Sequence, residues 1–185
     1  MLLSNVVIAT MESFRPYGLI ENGAIVIEDR NISWVGVLSE LPEKYKKLEK
    51  IDLEGRVVTP ALIDCHTHIV HGGNRANEFE MRLNGATYEE VSKAGGGIIS
   101  TVNHTRESSE TDLLTGALKR VDALISEGVG TIEIKSGYGL DIESEIKMLK
   151  VARLIESKRP VNIKTSFLGA HAIPSEFKGS PDKYI

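Results

Sequence analysis

The sequence predicts an α/β protein in which a small β unit precedes a strand–helix–strand–helix–strand alternation. Two features point this way. The first ~55 residues hold β-branched runs separated by turn residues, and from Ser108 onward apolar residues recur at helical spacing between strand-like segments. Parallel sheets of this kind gather ligands beyond the carboxyl ends of their strands, so the residues that follow each strand are the ones to inspect.

Near the N-terminus, "NVVIAT", "GAIVIED" and "ISWVGV" are β-branched runs, and "ENG" and "EDRN" between them carry turn chemistry. They predict a small antiparallel β unit. "LPEKYKKLEK" is charged and predicts a surface turn of helix or a loop, after which "GRVVTPALIDCHTH" returns to extended structure. A short helix is predicted in "TYEEVSKAG", where Thr87 and Glu90 have capping-box spacing. In "SSETDLLTGALKRVDALISEG", Leu113, Leu114, Ala117, Val121, Leu124 and Ile125 fall on one helical face, with Ser109 as N-cap and Gly128 as stop. "TIEIKSG" follows as a strand. The next helix, "DIESEIKMLKVARLIESKR", has a stripe of Ile142, Ile146, Leu149, Ala152 and Ile155, Asp141 as cap and Pro160 beyond its end. "VNIKTSFLG" is the last strand.

Composition bounds the function. The 185 residues are 41% apolar and 26% charged, the balance of an ordinary soluble globular chain. Twenty-two basic residues against 26 acidic ones give a formal net charge of −4, which disfavours a general nucleic-acid partner. Cys65 is the only cysteine, so no internal disulfide can form and a reducing compartment fits. "MLLSNVVIAT" lacks a basic leader and is interrupted by Ser4 and Asn5, so it is expected to be a strand rather than a signal peptide. No run approaches the ~18–20 apolar residues that span a bilayer, and no membrane partner is expected. The expectation is a cytoplasmic protein.

The three predicted parallel strands end in His66-Thr67-His68, in Ser136-Gly137-Tyr138-Gly139 and in Gly169-Ala170-His171, which puts three histidines and a tyrosine on one rim. Alternation along an extended strand points His66 and His68 the same way, and two imidazoles at i and i+2 can reach one divalent ion at ~2.0–2.1 Å each. H-x-H by itself is a modest signal that a polar loop explains better; the apolar strand before it and the glycine-rich turn after it place the pair at a rim and bring the metal reading level with the loop reading. Asp64 would share that face one step deeper, to orient a ligand or to close a hydrogen bond on the helix side. His71 lies past the strand, as a loop or substrate-side residue. His104 is expected in a solvated loop, and Cys65, facing away from the pair, as a small buried hydrophobe. Gly95-Gly96-Gly97 lacks the context of a phosphate loop and suggests a conformational role near the rim. Arg75 and Arg82 are either plain surface charges or, for Arg75, a guanidinium placed to pair with a carboxylate.

With these residues in view, the chain resembles the amidohydrolase superfamily, and within it the imidazolonepropionase family of histidine degradation. The resemblance rests on "DCHTHIVHGGNRANEFEMRLNGATYEEVSKAGGGIISTV", "EIKSGYGLDIESEIKMLKVARL" and "TSFLGAHAIPSEF", which cover most of residues 55–180 in order. Ala61 stands where the superfamily commonly has glycine, and His71 where the family has an aromatic residue. The resemblance implies a small β-sandwich part over residues 1–56, then the first three βα units of a metal-dependent TIM-type (β/α)8 barrel over residues 57–185, incomplete in this chain. It implies His66 and His68 as ligands of one metal ion, Zn or Fe, and Arg75 as the clamp for a propionate carboxylate. Tyr138 and His171 would contact the substrate ring, His171 also acting catalytically by stabilising the oxyanion. The implied reaction is hydrolysis of the cyclic amide of 4-imidazolone-5-propanoate to N-formimidoyl-L-glutamate.

A barrel needs ~200–250 residues, and about 130 follow Val57. The third histidine ligand, the metal-binding aspartate and the catalytic acid that the resemblance implies are expected beyond Ile185, and the isolated chain is expected to be inactive. An open sheet edge favours association, a homodimer among the outcomes. Two rival readings are a superfamily amidase or deaminase for a ring without a carboxylate tail, and an inactive α/β module.

Overall fold

The computed structural model describes residues 1–12 and 16–185, with residues 92 and 93 described in their backbone. The chain divides after Pro60 into two compact units. Among the described residues no helix is long and apolar enough to cross a membrane.

The first unit is one five-stranded sheet. Strands β1 (Leu2–Ala9), β2 (Leu19–Glu28) and β3 (Asn31–Val37) form an antiparallel meander. The "EDRN" turn is a two-residue hairpin with Asp29 and Arg30 both at positive φ, which suits the right-handed twist of the strands it joins. The sheet is mixed rather than antiparallel, because β4 (Lys50–Asp52) and β5 (Val57–Val58) run parallel to β1. Between β3 and β4 the charged "LPEKYKKLEK" stretch folds through a 3-10 turn, Glu43–Tyr45, that buries Leu41 and Tyr45.

A bulge lets β1 serve both faces of this sheet. The register shifts between Ser4 and Val6, with Asn5 at φ +53°, and one extra residue reverses the alternation. Leu2 therefore packs with Ala24, Val26, Leu41 and Tyr45, whereas Val6 and Ile8 pack with Ile25 on the other side.

The second unit is a parallel sheet in the order β6 (Leu62–Thr67), β7 (Val129–Lys135), β8 (Asn162–Ser166). Between β6 and β7 lie α1 (Ala76–Leu83), α2 (Tyr88–Lys93), α3 (Ile98–Glu107) and α4 (Glu110–Ser126), and between β7 and β8 lies α5 (Ile142–Leu154). Ser109 caps α4 by accepting the Asp112 N–H at 3.1 Å, and Thr87 and Glu90 make the reciprocal capping box of α2. Leu113, Ala117 and Val121 of α4 are fully buried against Ile132 and Ile134 of β7.

Three expectations are corrected. On α5 the buried face is Ser144, Glu145, Met148, Val151 and Ala152, continuing to Ile155, while Ile142 is 75% exposed and Ile146 is also exposed. The helix is turned because the Glu145 carboxylate is drawn beneath the loop after β7, which brings the residues three, six and seven positions on against the sheet. His104 lies in a helix, not a loop: α3 buries Thr101, Val102 and Thr105, and this packing overrides the weak helix propensity of β-branched residues. Cys65 is exposed. The register on β7 shifts between Asp64 and Thr67, so one extra residue reverses the alternation and Cys65 does not share the buried face of Thr67. Helix α1 has no counterpart among the predicted elements.

Candidate active site

Three loops leave the carboxyl ends of β6, β7 and β8, and they bring aromatic rings together. The His66 and His68 rings lie with centroids 5.5 Å apart. The bulge interrupts strict alternation here without separating the pair, and Asp64 Oδ1 accepts the His66 backbone N–H at 3.2 Å across it. Asp64 thus closes a local turn. Tyr138, from the β7 loop, stands 5.5 Å from His68 and 5.9 Å edge-on from His71. His71 joins the cluster rather than standing apart from it. His171, from the β8 loop, packs over Gly137, where an added Cβ would lie 3.2 Å from its Cε1, and its Nδ1 is 3.1 Å from the Leu168 carbonyl.

Burial pushes the His68 imidazole below its ordinary pKa, with repulsion from His66 adding to the shift, and burial does the same for His71. Both rings are therefore neutral near pH 7, the form that offers a lone pair to a metal. His68 Nδ1 is buried and meets no hydrogen-bond partner among the described residues. Two adjacent imidazoles with a buried nitrogen still to be satisfied suit a metal ion. Among the described residues no group of three His, Cys, Asp or Glu side chains completes a ligand set.

Each loop is pinned by a residue that sequence reasoning missed. Arg120 of α4 donates to the Ile69 carbonyl at 2.8 Å. The Gly72 N–H donates to Thr105 Oγ1 at 3.0 Å, and any side chain at Gly72 would strike the His104 carbonyl, which explains the glycine in "HGGNR". Glu145, 1% exposed, accepts the N–H groups of Gly137, Gly139 and Leu140 at 2.6–2.8 Å and so shapes the loop that carries Tyr138. A carboxylate where α5 needs an apolar core residue, just after "SGYGL", is the one sequence signal that could have exposed it. On the β8 side the Leu168 N–H donates to Ser136 Oγ at 3.0 Å. A polar line of Lys135, Glu133 and Ser166 runs along β7 and β8, with Lys135 Nζ 2.6 Å from Glu133 Oε1 and the Ser166 hydroxyl bonded to the same oxygen. The Lys135 ammonium and then Ser166 hold the Glu133 carboxyl below its usual range.

Arg75 is not in hydrogen-bond contact with this cluster. It stands at the head of α1, its Nε 3.1 Å from Glu78 Oε2, and lines a cavity of about 270 Å³ with Arg82, Phe79 and Tyr88.

No family model matches the chain. Over all 185 residues it is 62% identical to a protein of Roseobacter denitrificans named imidazolonepropionase, 59% to one of Ruegeria pomeroyi and 55% to one of Brucella anthropi, each also so named. It covers 47%, 46% and 46% of them, so the chain spans about half the length of the curated relatives it matches. Among solved structures, 89% of the chain superposes on 35% of Klebsiella pneumoniae 5-methylcytosine deaminase with a TM-score of 0.58 and 17% identity. It superposes likewise on 35% of a guanine deaminase from C. acetobutylicum, with a TM-score of 0.53 and 19% identity. At these identities the likeness is one of fold alone.

Proposed function

We propose that the protein is an amidohydrolase-superfamily enzyme, a metal-dependent hydrolase opening the ring of 4-imidazolone-5-propanoate to give N-formimidoyl-L-glutamate, the chain spanning about half the length of the imidazolonepropionases it matches. The observation that carries this reading is the ring cluster of His66, His68 and Tyr138 at adjoining strand ends, in a chain so similar throughout to imidazolonepropionases. His66 and His68 would hold one ion, Zn or Fe, alongside ligands from the remainder of the protein. When bound, such an ion activates water and polarises a carbonyl.

The other roles belong to this chain's side chains. Tyr138 presents its hydroxyl to the imidazolone ring, and His171, its Nδ1–H held by the Leu168 carbonyl, donates from Nε2 in its protonated form to the oxygen on which negative charge develops. Arg75 pairs with the propionate carboxylate, and the nearby Arg82 keeps that cavity cationic. A substrate of this kind needs one end fixed by charge and the other by hydrogen bonds, with the scissile bond delivered to the histidine pair.

The test is Arg75→Ala in the full-length protein, assayed by ring opening. Losing one guanidinium–carboxylate pair removes about 2–3 kcal/mol of binding, so KM should rise about 30–150-fold with metal content unchanged. An unchanged KM would sink the assignment of Arg75 and, with it, the carboxylate-bearing substrate.

A further inference from the structure

The guanidinium of Arg106, on α3, reaches two of the three rim loops at once. Its Nε lies 2.6 Å from the Gly139 carbonyl and 3.0 Å from Asp141 Oδ2, and its Nη2 donates to the Leu140 carbonyl at 3.1 Å. Its Nη1 donates to Glu176 Oε1 at 2.8 Å, in the 3-10 turn Ser175–Phe177, five residues beyond His171. Glu145 already takes the N–H groups of Gly137, Gly139 and Leu140. Arg106 takes the carbonyls of the same segment, so the loop bearing Tyr138 is gripped through both halves of its peptide groups. The arginine is itself fixed, because Lys147 Nζ donates to its carbonyl at 2.8 Å and to that of Ser108 at 2.9 Å. Ile98, Val102 and Leu140 line a narrow crevice with Ala172 and Ile173, an apolar seam on the same side.

We propose that Arg106 is a positioning residue: its planar fork ties the Tyr138 loop to the His171 segment, so that the two substrate-facing side chains keep one spacing. Lysine cannot replace it, having one donor centre in place of a fork. The inference rests on the assignment of Tyr138 and His171 to the substrate.

The experiment uses the full-length protein with Arg106→Ala, Arg106→Lys and Glu176→Gln, and reads two quantities. Amide hydrogen exchange without substrate should accelerate about tenfold or more at residues 137–140 and 171–177 in Arg106→Ala, with β7 and the α5 core unchanged. In ring opening, KM should rise about tenfold at constant metal content, Arg106→Lys should recover little, and Glu176→Gln should act in the same direction but add nothing to Arg106→Ala. Unchanged KM, or exchange that accelerates across the whole molecule, overturns the proposal. Should Arg106→Ala fail to fold, Arg106→Lys and Glu176→Gln decide by the same two readings. If the wild-type protein opens no imidazolone ring, the proposed function fails, whereas the clamp still stands or falls on the exchange at the two loops.

Discussion

The two units use their sheets in opposite ways. In residues 1–60 both faces of the sheet are covered by the unit's own side chains, Leu2, Ala24 and Val26 on one side and Val6, Ile8 and Ile25 on the other. In residues 61–185, α4 and α5 cover one face of β7 and β8, while Cys65, His66, Glu133 and Lys135 stay wholly or partly accessible. Both units contain a bulge in a strand. The one at Asn5 distributes apolar residues between two cores, and the one between Asp64 and Thr67 sets the histidine pair at a strand end. The same backbone device thus serves packing in one unit and the placement of the proposed ligand pair in the other. If that contrast holds, substitutions in the first unit should cost stability alone, and those at the rim of the second should change substrate handling.

The largest effect is expected at Glu145. Replacing it with Leu orphans three buried N–H groups and removes the support of the Tyr138 loop. Denaturant unfolding should show a loss of about 3–5 kcal/mol, and KM for the imidazolone should rise in whatever fraction remains folded. A loss of stability with unchanged KM would place Glu145 with the first unit's purely structural residues and break the contrast.

A smaller effect is expected in the first unit. Ile8→Val removes one methylene from a cluster facing Ile25, at a cost of about 1 kcal/mol. Neither kcat nor KM should move; a change in either would show that this sheet takes part in the chemistry.

Much of this was legible in the residues. The strand and helix order from Ser108 onward, the caps at Ser109, Asp141 and Thr87, and the rim placement of His66, His68 and Tyr138 follow from periodicity, capping chemistry and strand-end position. What was not legible depends on long-range partners. Arg106 and Arg120 are single charges in helices, and nothing beside them in sequence marks the carbonyls that they meet 33 and 51 residues away. A bulge likewise leaves no trace in an alternation of residue types, so strict alternation predicts a buried Cys65 where the structure exposes it.

The α5 face is the finest of these distinctions and gives the smallest expected effect. Its sequence holds two helical stripes, the predicted one through Ile142, Ile146, Leu149, Ala152 and Ile155 and another through Met148, Val151, Ala152 and Ile155, so the two share Ala152 and Ile155, both buried. Counting apolar residues favours the first, because the second begins at Ser144 and Glu145. The structure uses the second, since a buried carboxylate that accepts three N–H groups fills its place in the core as well as an apolar side chain would. Ile142 is then a solvent-facing residue in the first turn, just after the Asp141 cap, and Ile142→Gln should change unfolding free energy by no more than about 0.5 kcal/mol. Met148→Ala, one turn beyond Glu145 on the buried stripe, should cost about 2–5 kcal/mol. If the two substitutions cost the same, the helix is turned the other way. Glu145 could not then reach the Tyr138 loop, and the polar core beneath the rim would have to be rebuilt from the first stripe.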